Sequence, residues 1–146
     1  MYRAESNPEN KVIYREDGLT IMLTGSVALE KREQNGDYLG LGIAVINDTD
    51  DLYRVDSDQF YINGWQVGTY ADGGTVHAHT KSRNNTFKFH SLEELAGIGS
   101  LSDIECATLT IRLMKLDSNY QRLESHIIGP FTLVYTEEGF LVVPNE

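Results

Sequence analysis

The residues in this chain best suited to chemistry are His77-Ala78-His79 and a run of aspartates, Asp48, Asp50, Asp51, Asp56 and Asp58. On a β-strand, side chains two apart point the same way, so His77 and His79 could present both imidazoles to one zinc ion. Zinc needs a third ligand, and His90, His126, Asp72 or a water molecule is of the right type. The aspartates suit calcium better, because hard cations take oxygen ligands. They do not form an EF-hand. Counted from Asp48, Leu52 stands at a ligand position, Tyr53 replaces the required glycine and Gln59 replaces the final glutamate. A looser calcium site between loops is the remaining form of that idea. The plain alternative is a solvated acidic loop beside an edge strand kept soluble by its charges.

Enzymatic chemistry has no anchor in the sequence. There is no Gly-x-Ser-x-Gly elbow to expose a serine nucleophile. Glu93 and Glu94 are adjacent and do not face each other, so they are no acid/base pair. Gly40-Leu41-Gly42 lacks the third glycine and the helix of a dinucleotide site. Cys106 is the single cysteine, so no intrachain disulfide forms, and it is expected to pack as a small hydrophobe. The chain is read as non-enzymatic.

The aromatic stretch from Phe60 to Gly74 offers a binding surface instead. Asn63-Gly64 is a strong two-residue hairpin signal. It sets Ile62 opposite Trp65, Tyr61 opposite Gln66 and Phe60 opposite Val67, and cross-strand partners share a face. Phe60, Ile62, Trp65 and Val67 then make one apolar face, with Trp65 expected to anchor the core. Tyr61 and Tyr70 fall on the other face and are the candidate binding residues.

The elements that would position these residues are strands. Leu19, Ile21 and Leu23 alternate with polar residues, as do Leu109, Ile111 and Leu113; Leu39, Leu41, Ile43 and Val45 alternate with small residues. Turn signals recur at Asp17-Gly18, Asn35-Gly36, Asn63-Gly64, Asp72-Gly73 and Glu138-Gly139. Ser91-Leu-Glu-Glu94 reads as a capping box that opens a short helix, Gly97 closes it, and Leu92 and Leu95 supply its packing face. The expected fold is an all-β antiparallel sandwich over residues 11–146, with that helix in a crossover and residues 1–10 as a flexible lead-in. At 146 residues the chain fits one domain and needs no metal to fold. A net charge of −10 repels a phosphate backbone and an anionic bilayer, so neither nucleic acid nor direct membrane insertion is expected. No signal peptide or membrane span is legible.

The order of these features carries a resemblance. It runs from Leu19–Gly25 through Ala44–Asp48, Phe60–Trp65 and the Leu92–Ile98 helix to Gly129-Pro-Phe-Thr-Leu133. It resembles the immunoglobulin-like domains of unknown function found in secreted, lipoprotein or membrane-anchored proteins of Gram-positive bacteria. The resemblance implies an Ig-like sandwich displayed outside the membrane, with a binding role and no catalytic residues to carry over. The reading is therefore a cell-surface or extracellular protein-interaction domain. Its alternatives are a carbohydrate-binding module supported by calcium, and a sandwich-type protease inhibitor using the loop Asp117–Tyr120 or the segment His77–Asn85.

Overall fold

The computed structural model describes residues 11–32, 36–69, 74–137 and 139–143. The expected lead-in, Tyr70, Asn35, the Asp72-Gly73 turn and Glu138 lie outside the described residues. The chain runs β1 (Lys11–Glu16), β2 (Leu19–Arg32), β3 (Gly36–Asn47), β4 (Leu52–Ile62), β5 (Trp65–Thr69), β6 (Thr75–Val76) and β7 (Thr80–His90). After β7 come α1 (Leu92–Ala96), a 3₁₀ turn (Leu101–Asp103), β8 (Ala107–Leu116), β9 (Arg122–Thr136) and β10 (Gly139–Val143). All strand pairs are antiparallel. Their order is β1-β2-β3-β7-β5-β4-β8-β9-β10, with β6 beside β4.

This single path of hydrogen bonds folds over into two layers, as the alternation predicts. The inward residues of β2, β3 and β7 (Leu19, Ile21, Leu23, Leu39, Leu41, Ile43, Phe87, Phe89) share one buried cluster with those of β4 and β8 (Val55, Phe60, Leu109, Ile111, Leu113). Phe60 of one layer stacks on Phe89 of the other, with ring centroids 3.8 Å apart and planes at 11°.

The fold-back occurs within β5. Val67 pairs with Phe60 of β4, and the next residue, Gly68, pairs with His90 of β7. A Cβ on Gly68 would sit 2.3 Å from the His90 ring as it lies, so glycine leaves room for that ring over the strand junction. The turn ahead of it is as expected: Asn63 and Gly64 have φ of 52° and 87°, and the predicted register is observed. Trp65 is not in the core. It is 62% exposed, because β5 gains its second neighbour only from Gly68 onward and the first residue after the turn has a strand on one side only.

Two other local expectations change. Cys106 is exposed at the entry to β8 and does not pack inside. Ser91 stands ahead of α1 in the left-handed region, φ 61°, and makes no side-chain cap bond. Asp37 of β3 caps the helix instead: the N–H of Leu92 donates to its Oδ1 at 3.0 Å and the N–H of Glu93 to its Oδ2 at 3.1 Å. Gly97 does close the helix, at φ 71°. Leu92 is fully buried, but Leu95 is 41% exposed, since a five-residue helix offers one inward position and little more. Asp37→Ala should therefore lower stability by about 1–2 kcal/mol, leaving two helix N–H groups without their acceptor. Ser91→Ala should change it by less than about 0.5 kcal/mol. Urea melts of both variants check this, and equal losses would return the cap to Ser91.

Candidate functional site

The inward rows of the β4-β8-β9 layer change character along the strands. Ser57, Ile111 and Ile128 form one row, Val55, Leu113 and His126 the next, and Tyr53, Lys115 and Glu124 the third. Cross-strand partners share a face, so Lys115, Glu124 and His126 all point toward the opposite layer. That layer answers with Tyr14, Glu16 and Leu19, where Tyr14 pairs with Ile21 and Glu16 with Leu19. Charged groups are costly to bury, so the layers do not close here. They leave a cleft of about 630 Å³ between β1 and β9, floored by Leu19, Leu113 and Ile128 and walled by Tyr14 and Tyr53.

The loop between β3 and β4 closes one end of this cleft, and a buried asparagine shapes it. Asn47 is 1% exposed. Its Nδ2 donates to the carbonyls of Asp51 at 2.8 Å and Val76 at 2.9 Å, and its Oδ1 accepts from the Thr49 N–H and hydroxyl. Thr49 and Asp51 are thereby set on the cleft wall. The Asp48 N–H donates to the Gly18 carbonyl at 2.8 Å, which ties the β1–β2 turn, with Asp17, to the same end.

The field in the cleft is negative. Glu16, Asp17, Asp51 and Glu124 line it against the ammonium of Lys115, which lies 3.4 Å from Asp51 and 3.8 Å from Glu124. Both tyrosines respond to their surroundings. Burial raises the Tyr14 hydroxyl above its usual range, and Glu16 and Asp17 push it the same way. Burial also raises Tyr53, with Asp51 adding to the shift and Lys115 opposing it. The tyrosines thus stay neutral; burial works against any charge beside them, while the neighbouring carboxylates Glu16, Asp17 and Asp51 act in favour of a cation. The arrangement has aromatic walls, an apolar floor and a carboxylate rim, which suits a positively charged group on an apolar stem.

Of the residues singled out from sequence, Asp51 and His126 line this cleft, and the others that are described are placed elsewhere. His77 and His79 lie in the β6–β7 turn, not on a strand, and His79 has φ 57°, so the shared strand face expected of them is not formed. His79 is instead held between two aspartates, Nδ1 at 3.1 Å from Asp48 and Nε2 at 2.7 Å from Asp50. The aspartate run is divided in the same way. Asp51 faces Lys115, Asp56 pairs with Arg54 at 2.8 Å and Asp58 with Arg112 at 2.8 Å. Among the described residues no three His, Cys, Asp or Glu side chains form a group suited to a metal ion. Tyr61 is half-buried on the expected face, its hydroxyl 3.4 Å from Gln59, and its intended partner Tyr70 lies outside the described residues.

Tyr14, Tyr53, Lys115 and Glu124 were not among the sequence candidates, yet one signal for the cleft is legible. The inward positions of β8 run Ala107, Leu109, Ile111, Leu113 and then Lys115, so a cation breaks an apolar alternation. A charge at an inward position marks where a core must open.

No family model matches the sequence, and no curated protein does. Among solved structures, the chain is similar to the yeast GGA1 GAE domain–P21 crystal structure, at 14% identity over 82% of this chain and 96% of that one, with a TM-score of 0.38. It is also similar to a FixG-related protein from Vibrio parahaemolyticus, at 15% identity over 77% of this chain and 95% of that one, with a TM-score of 0.32.

His79 yields a prediction. Both ring nitrogens face carboxylates, so the doubly protonated ring is favoured and its pKa is raised above 6.5, first by the bond to Asp50 and then by that to Asp48. A raised folded-state pKa stabilises the fold fully below the unfolded value, and this contribution fades as pH rises through the folded value. In an NMR titration His79 should titrate above 6.5, and Asp50→Asn should bring it down. An unchanged midpoint in the variant would break the assignment to Asp50.

Proposed function

We propose that this chain is a non-catalytic, Ig-like protein-interaction domain, displayed outside the cell or at its surface, whose cleft receives a basic side chain of a partner protein. The cell-surface setting follows from the resemblance to Gram-positive Ig-like domains. The binding chemistry follows from one observation: four carboxylates and two half-buried tyrosines surround an apolar floor, with Lys115 the cation among them. A lysine or arginine stem would cover Leu113 and Ile128 while its head reaches the rim, so apolar burial and charge act together. The net charge of −10 extends this preference over longer range and speeds encounter with basic surfaces. Tyr61 on the outer face is a second surface for the same role, and it needs Tyr70 to make a patch.

Fluorescence anisotropy with a labelled short peptide alternating lysine and valine tests this reading. The peptide should bind, and the same peptide with glutamate in place of lysine should not. Asp17→Asn together with Glu124→Gln should weaken binding about tenfold, roughly 1.4 kcal/mol. Added salt should weaken it further. Loss of binding on Tyr61→Ala, with the cleft variant unaffected, would move the site to the outer face. Equal binding of both peptides would end the cationic reading. A glycan array that gives binding where the lysine peptide gives none would replace it with the carbohydrate-binding one.

A further inference from the structure

We propose that the partner binds as an added β-strand, laid along the free edge of β9 from Arg122 to Ile128, with alternate basic side chains entering the cleft. This rests on the cleft being the binding site and names how a segment reaches it.

β9 is the longest strand, Arg122–Thr136, and its two ends are paired differently. On one side it pairs with β8 along its length, from Arg122 to Leu133. On its other side β10 pairs only with Thr132–Thr136. Among the described residues nothing pairs with that side of Arg122–Ile128. Alternate backbone N–H and C=O groups there face outward, and such a row is a template for another strand. Pro130 lacks an N–H and bounds the template at its far end.

The side chains fit a strand lying in this position. Glu124, His126 and Ile128 point inward and line the cleft. An added strand lies about 4.8 Å away, and its inward side chains recur about every 6.8 Å, matching that row. Its inward residues would meet Glu124 and Asp51 on one wall and Tyr14 and Glu16 on the other. On the outer face Leu123 and Ile127 are 57% and 49% exposed, so outward apolar residues of the added strand would gain cross-strand partners.

Charge selects the occupant. A second copy of the chain paired edge to edge would bring another Glu124 to a rim that is already acidic, and would join two molecules of charge −10. Like charges across a pair are destabilising. An extended basic segment of a different protein meets complementary charge instead. The inward Glu124 therefore does two things: it guards the edge against neutral or acidic strands, and it admits a basic one.

Hydrogen exchange on the full chain, read by mass spectrometry with and without the lysine–valine peptide, tests the proposal. Alternate amides in Arg122–Ile128 should exchange quickly in the free protein and at least tenfold more slowly with saturating peptide, while the β10-paired stretch Thr132–Thr136 stays as it was. A second probe leaves the protein untouched. The same peptide, N-methylated on alternate residues along its pairing edge, keeps every side chain but cannot form the ladder, and should bind at least tenfold more weakly. If the unmodified peptide binds but the edge amides are not slowed, or the methylated peptide binds equally well, strand addition is wrong and the cleft reading stands. Amides already protected in the free protein also overturn strand addition. No binding by either peptide overturns both.

Discussion

Gly68 is the point on which the architecture turns. One residue before it, β5 belongs with β4; at Gly68 it belongs with β7, and the His90 ring lies over the glycine. This exchange of partners joins the two layers along one side. Among the described residues the opposite side is closed only as far as β10 reaches over β9, and beyond that the edges of β1 and β9 stand apart. The cleft is thus a consequence of how the sheet folds over, before any particular side chain is considered.

The side chains decide whether that open side fills or stays open. Where inward rows are apolar, burial and stacking draw the layers together, as at Phe60 and Phe89. Where the rows carry Lys115, Glu124 and His126, desolvation opposes closure, and the Lys115 ion pairs at 3.4 Å and 3.8 Å lie in partly hydrated surroundings. One gradient of polarity along three strands therefore sets both the limit of the core and the chemistry of the cleft.

Three polar side chains hold the connections that frame this arrangement. Asp37 caps the helix between β7 and β8, and Asn47 shapes the loop at the cleft's end. Asn63 accepts from the N–H groups of Glu105 and Cys106 and donates to the Asp103 carbonyl, so the β4–β5 turn holds the entry to β8. Each satisfies several backbone groups that would otherwise be left without partners where the chain is irregular.

Alternation and turn chemistry made most of the fold legible. Leu19 to Leu23, Leu39 to Val45 and Leu109 to Leu113 are inward as their period requires, and Asn63-Gly64 set the hairpin register by itself. These are local properties: the period of a strand and the φ of a turn are written in neighbouring residues. Trp65, Ser91, His77 and His79 came out differently because their surroundings are supplied from a distance. Exposure of Trp65 depends on where β5 acquires a second strand, the helix cap comes from Asp37 on β3, and His79 is held by aspartates on the β3–β4 loop. The cleft is of the same kind, since Tyr14, Tyr53, Lys115 and Glu124 lie on four different strands. The sequence by itself determined the strands with regular apolar alternation, such as Leu19–Leu23 and Leu109–Leu113, and the way their side chains face. Only the tertiary structure decided which strands became edges and which charges met across them, because those relations depend on contacts between residues far apart in the chain.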